Sequence, residues 1–160
     1  MKMGVKLKTN GFTLIELMMV VLVTLLTVGG VMVNVYNFNK RQGLEDDAYN
    51  LVAELRNTYQ KALGNYRQPN CVSLLSYKIR GTSAGNSVEI EESCVSGSSA
   101  NNEKPDFLKS TTFSNSFEVT FLAGSGMTAT NISDNKIIIT NGSDTRYIQV
   151  NNYGDFKITQ

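Results

Sequence analysis

Residues 17–39 carry no charged side chain, and the residue immediately before them is an acid, Glu16. Within that run, residues 17–33 are almost purely apolar, diluted only by Thr24, Thr27, Gly29 and Gly30. With residues 12–15 added, the stretch reaches the ~20 residues that a helix needs to cross a bilayer core of ~30 Å. The remainder of the 160-residue chain is polar and rich in Asn, Ser, Thr and Gly. The expectation is therefore a membrane helix followed by a domain of roughly 120 residues, large enough for a real but small core.

The flanks give an orientation. Lys2, Lys6 and Lys8 precede the run without any acid. Basic residues stay on the cytoplasmic side, so the C-terminal domain is expected outside. Lys40 and Arg41 beyond the run oppose this weakly. The formal net charge is +1, and removing the first eleven residues leaves a slight acidic excess. Such a balance is no electrostatic footprint for nucleic acid.

Two cysteines, Cys71 and Cys94, fall in the domain expected outside. In an oxidising compartment they are expected to pair, with two buried free thiols as the alternative. Closing a loop of that length stabilises by about 3 kcal/mol on the chain-entropy model. The chain has no histidine, which removes the commonest metal ligand and general base.

Four parts follow along the chain: a basic leader at 1–11, an apolar helix at 12–39, an amphipathic helix at about 44–63, and a β-rich remainder. Leu44, Ala48, Leu51, Val52, Leu55, Tyr59, Ala62 and Leu63 recur at helical spacing. The two helical parts read as one helix with a weak point at "NVYNFNKRQG", residues 34–43. Gly64 and Asn65 end it, with Pro69 soon after. Strands are expected in "SLLSYKI", "SVEIEES", "FEVTFLA" and "NNYGDFKI". "KIIITNGSDTRYIQV" reads as a hairpin turned at Asn141-Gly142. "VSGSSANNEKP" and "GSGMTATNISDN" read as loops. The fold class is α+β: a long N-terminal helix packed on an antiparallel β-sheet domain.

Three readings of the apolar segment compete. A secretory signal peptide would be cleaved after it, but "TVGG" is a poor cleavage site. A plain signal anchor explains the span but not Glu16, since a carboxylate at mid-bilayer costs about 2.5–3.5 kcal/mol. The third rests on "KTNGFTLIELMMVV", which resembles the processing signal of type IV pilins and pseudopilins. The resemblance implies cleavage by prepilin peptidase between Gly11 and Phe12 and N-methylation of Phe12. It also implies that Glu16 neutralises the terminal amine of a neighbouring subunit in a filament. A long helix followed by a β-rich domain resembles the pilin architecture. The tail, "FEVTFLAGSG…KIIITNGSDTRYIQVNNYGDFKI", loosely resembles the minor pseudopilin H and fimbrial T group. Many type IV pilins carry a proline seventeen residues after the acid. Here Val33 stands there, and Gly29 and Gly30 are expected to supply the weak point instead.

Other chemistry is thinly represented. Glu45, Asp46 and Asp47 can be read as a cation site, but more simply as acids favouring the amphipathic helix, with Arg41 to Glu45 as an i,i+4 pair. Glu89, Glu91 and Glu92 can be read as calcium ligands, or as a solvated strand edge. Asn131 and Asn141 head glycosylation sequons. Tyr147, Tyr153 and Lys157 are candidates for a DNA-contacting face, against which the missing basic excess argues. There is no phosphate loop, no Cys/His cluster and no nucleophile with a base. The reading is a structural subunit, not an enzyme, with no cofactor and no metal. It would reside in the inner membrane before assembly, then in a periplasmic pseudopilus of type II secretion or a surface pilus. Its implied partners are prepilin peptidase, other subunits, an inner-membrane assembly platform and lipid. The alternative is a filament-tip subunit that binds DNA or an adhesion ligand.

Overall fold

The computed structural model describes residues 12–69, 71–95, 100–104, 107–126 and 128–159, without the side chains of 28–34, 100–103 and 133. Gly11, on the amino side of the expected cleavage, lies outside them. Helix α1 covers Leu14–Leu63, and residues 34–43 are helical throughout rather than broken. The chain divides into two units, one ending at Phe38 and one covering Asn39–Gln160.

In the first unit, every described apolar side chain of α1 is exposed. Among the described residues, no helix is long and apolar enough to cross a membrane. The spanning segment expected at 12–39 is thus not found among them.

The second unit is a helix packed on antiparallel sheet. Leu44, Ala48, Leu51, Val52, Leu55 and Ala62 form the buried stripe of α1, with Thr58 among them. Leu63, expected in that stripe, is exposed. Among the described residues nine strands follow: β1 Leu74–Gly81, β2 Val88–Cys94, β3 Ala100–Lys104, β4 Thr112–Phe113, β5 Phe117–Leu122, β6 Thr128–Thr130, β7 Lys136–Thr140, β8 Thr145–Val150 and β9 Phe156–Thr159. They make a five-stranded sheet, β3-β2-β1-β5-β6, and a four-stranded sheet, β4-β7-β8-β9. Alternation places Ile79, Val88, Ile90, Val119, Phe121, Ile137, Ile139, Ile148, Val150 and Phe156 in one core with the helix stripe. Tyr59 of α1 meets Phe121 edge to face at 5.8 Å, and Phe121 meets Phe156 likewise at 6.1 Å.

Two stretches expected as loops contain strands. β3 lies within "VSGSSANNEKP" and β6 within "GSGMTATNISDN". Neither carries apolar alternation; β3 is held by its ladder to β2 and by Lys104, whose Nζ lies 2.7 Å from Glu54 Oε1 on α1. The expected hairpin forms, with "NGSD" as its four-residue turn. Thr140 pairs with Thr145, and Asn141 Oδ1 accepts from the Ser143 and Asp144 amides. Only Gly142 of the turn has positive φ, at 87°. The turn is tied to the start of the domain: Asn141 Nδ2 donates to the Lys40 carbonyl at 3.0 Å. Arg41 pairs with Asp144 at 3.4 Å, not with Glu45 as expected. At the far end, Gly154 (φ 74°) lies against the Tyr59 ring, where a Cβ would stand 2.4 Å from a ring carbon.

The acid triplet on α1 divides. Glu45 and Asp46 are exposed, whereas Asp47 is only 2% exposed. Its Oδ1 accepts from the Lys109 amide at 3.2 Å, and its Oδ2 from the Ser110 amide and the Thr111 hydroxyl, each at 2.9 Å. One turn earlier, Gly43 leaves room for the same loop: a Cβ there would meet Ser110 Oγ at 2.6 Å. Asp47 is thus a structural anchor. Asp47→Ala is expected to lower stability by roughly 3 kcal/mol, because it orphans donors paired to a charge. Asp46→Ala should stay within about 0.5 kcal/mol. Denaturant midpoints of the two variants check this, and equal midpoints would contradict it.

Candidate assembly site and the disulfide corner

The start of α1 is built by a local cap. Thr13 precedes the first helical residue, and its Oγ1 accepts from the Glu16 amide at 3.4 Å. The Leu17 amide donates to the Thr13 carbonyl at 3.2 Å. The spacing Thr13-x-x-Glu16 is that of a capping box, with the acid in the first turn where the helix dipole favours it. Thr13 was not singled out from sequence, although Thr three residues before Glu is the signal that finds it.

Phe12 is 80% exposed, and Leu14, Ile15, Leu17, Met18, Met19, Leu22, Leu25 and Leu26 are each more than 60% exposed. These side chains lie all round the helix rather than on one face, and Glu16 is exposed among them. The hydroxyls of Thr24 and Thr27 bond back to carbonyls three and four residues earlier. Among the side chains described up to Thr27, these hydroxyls are satisfied within the helix and Glu16 is the one charged group. Monomeric soluble proteins rarely expose a contiguous apolar surface of this extent.

Cys71 and Cys94 form a disulfide, with Cα atoms 5.6 Å apart. It fastens the connection after α1 to the end of β2. That connection is tied down three more times. Arg67 donates to the Val72 carbonyl, Tyr77 Oη donates to the Tyr66 carbonyl at 3.0 Å, and the Gln68 amide donates to Glu92 Oε1 at 3.0 Å. Burial, then the charge of nearby Glu92, pushes the Tyr77 hydroxyl up to about 12.

The acids of β2 are not a solvated edge, since β2 lies between β3 and β1. Nor do they converge on one cation. Glu89 faces out, and Glu91 pairs with Arg80 at 2.8 Å. Arg80 also binds Glu118 across the sheet at 2.6 Å. Glu92 points inward and is 2% exposed. Tyr147 and Lys157 lie on the outward side of β8 and β9, Tyr153 is 80% exposed in the turn between them, and Lys136 lies over the Tyr147 ring. Asp155 sits beside Lys157 along a shallow groove. Asn131 is exposed.

No family model, no curated protein and no solved structure matches this chain.

The disulfide generates a stability prediction. Cys71→Ser and Cys94→Ser should each destabilise the domain by about 3 kcal/mol, and the double variant should lose no more than either alone. Thermal melts of oxidised and reduced protein check this, and identical curves would contradict it.

Proposed function

We propose that this chain is a structural subunit of a type IV filament, a minor pilin or pseudopilin. The observation that carries the reading is an apolar helix exposed on every side, bearing one acid four residues after Phe12. In lipid or in a helical bundle such a surface is covered, and the helix backbone stays hydrogen-bonded in either setting. Residues 28–39 would extend the described apolar stretch to bilayer length. Before assembly the chain is held in the inner membrane with its β-rich domain outside; assembly moves the helix from lipid into contact with other copies. Glu16 then meets the amine of a neighbour's Phe12, which offsets the ~2.5–3.5 kcal/mol that a lone carboxylate costs in the membrane. The function is structural and calls for no catalytic residue.

Processing tests the first step. In a host with prepilin peptidase, the mature chain should begin at Phe12 with a methylated amine, read by intact mass and N-terminal sequencing. A stable product beginning at Met1, or one cut after the apolar run, would sink the reading.

Assembly tests the second. Glu16→Ala should insert, be cleaved and fold normally, because the cap bond to Thr13 uses the Glu16 main-chain amide and within the chain the carboxylate adds only its interaction with the helix dipole, about 0.3–1 kcal/mol. Its amount in sheared filaments, relative to the membrane pool, should nevertheless fall at least several-fold. Glu16→Asp, one methylene shorter, should fall between the alanine variant and wild type. Wild-type incorporation of Glu16→Ala would show that the acid serves something other than assembly.

A further inference from the structure

Glu92 is unusual among the described acids of this domain. The inward parity of β2 runs Val88, Ile90, Glu92, Cys94, so a carboxylate occupies a core position. Buried carboxylate oxygens require partners. Oε1 has the Gln68 amide. Oε2 has no hydrogen-bond partner among the described residues. The Tyr77 hydroxyl lies close enough to feel this carboxylate, but its single proton is directed at the Tyr66 carbonyl, 3.0 Å away.

Sulfur also lies beside this carboxylate. Glu92 Oε1 lies 3.9 Å from Cys94 Sγ, and one ligand atom from each of Cys71, Glu92 and Cys94 falls within 4.8 Å of the others. All three residues are buried, at 4%, 2% and 8% exposure. A tetrahedral zinc ion holds thiolate sulfur at ~2.3 Å and carboxylate oxygen at ~2.0–2.2 Å, which sets its ligands about 3.5–3.8 Å apart. The separation of Cys94 Sγ from Glu92 Oε1 is already close to that spacing, and the two sulfurs, now bonded to each other, can reach it only once their bond is broken. While the sulfurs are bonded to each other they offer no thiolate, and the set is not a metal site.

We propose that reduction of the Cys71–Cys94 disulfide creates a binding site for zinc, or a similar soft divalent cation, formed by the two thiolates and the Glu92 carboxylate. A dithiol supplies the two electrons and two protons that convert the disulfide to two thiols, and is itself oxidised to a disulfide. Zinc then displaces the two thiol protons to solvent and forms two Zn–S bonds and one Zn–O bond, with water in the fourth position. The two states exclude each other. In one the connection after α1 is fastened to β2 by a covalent bond, in the other by a metal. Oxidation of the thiolates by a disulfide-forming catalyst releases the ion.

The test uses the full chain in detergent micelles, reduced anaerobically with a phosphine. Cobalt serves as the spectroscopic probe and zinc as its competitor. Reduced protein should bind one cobalt per chain with a thiolate-to-cobalt charge-transfer band that zinc abolishes. Oxidised protein should show no such band. Glu92→Gln should weaken the binding by roughly 10-fold or more, and the Cys71→Ser, Cys94→Ser double variant should lose it. Equal affinity of wild type and Glu92→Gln, or of wild type and the double-serine variant, would overturn the proposal. Should Glu92→Gln fail to fold, X-ray absorption of zinc-loaded wild type decides. Two sulfur and two lighter ligands support the site; a shell without sulfur, or four sulfurs from two chains, overturns it.

Discussion

A single carboxylate organises the domain. Asp47 reaches from α1 into the segment between the two sheets and takes three hydrogen bonds there, two from main-chain amides. That segment leads from the end of β3 into β4, a strand of two residues. Leu108 is buried in the core and its amide donates to the Asn86 carbonyl, while the Lys109 and Ser110 amides find their acceptor in Asp47. By receiving them, the helix fixes where the second sheet begins, and the register of β4 on β7 follows. The buried stripe of α1 supplies apolar area, but area is non-directional. Direction comes from Asp47, from the Gly43 gap beside it, and from the Asn141 side chain on the Lys40 carbonyl.

Much of this was legible in the residues. The helix stripe from Leu44 to Ala62 and the alternation in β5, β7 and β8 follow from spacing alone, because burial there repeats with the period of the element. The alternation in β2 held more than its apolar residues suggested. Once Val88 and Ile90 are inward, Glu92 and Cys94 must be inward too, and a core acid beside a cysteine is readable at that point. β3 and β6 were not legible. Their stability comes from main-chain pairing to a neighbouring strand, and "ANNEK" carries no side-chain period to reveal it. Asp47 could not be told from Asp46 and Glu45 by type. Which of three adjacent acids faces inward depends on the phase of the helix stripe, and what it binds lies more than sixty positions away in sequence.

The N-terminal segment shows a different limit. The position of Glu16 four residues after Phe12 is plain in the sequence, and the cap at Thr13 is a local matter that the same five residues encode. What covers the apolar side chains of that segment is a property of a second molecule or of lipid, and one chain contains no record of it. Glu16 has two compatible uses. In a single chain it stabilises the first turn, a few tenths of a kcal/mol to ~1 kcal/mol. In an apolar assembly the same carboxylate is a charge that requires a counter-charge.

The disulfide also sets how the domain responds to tension. A load drawn through the chain from both ends passes from Cys71 directly to Cys94, because the bond joins them across a sequence separation of 23. The residues between them, which include all of β1 and nearly all of β2, lie off the load path. At ~3.3–3.6 Å per extended residue, roughly 80 Å of contour length is withheld from extension. The central hairpin of the larger sheet can then be neither unzipped nor threaded straight by pulling, so stretching must begin at β9 or at the helix.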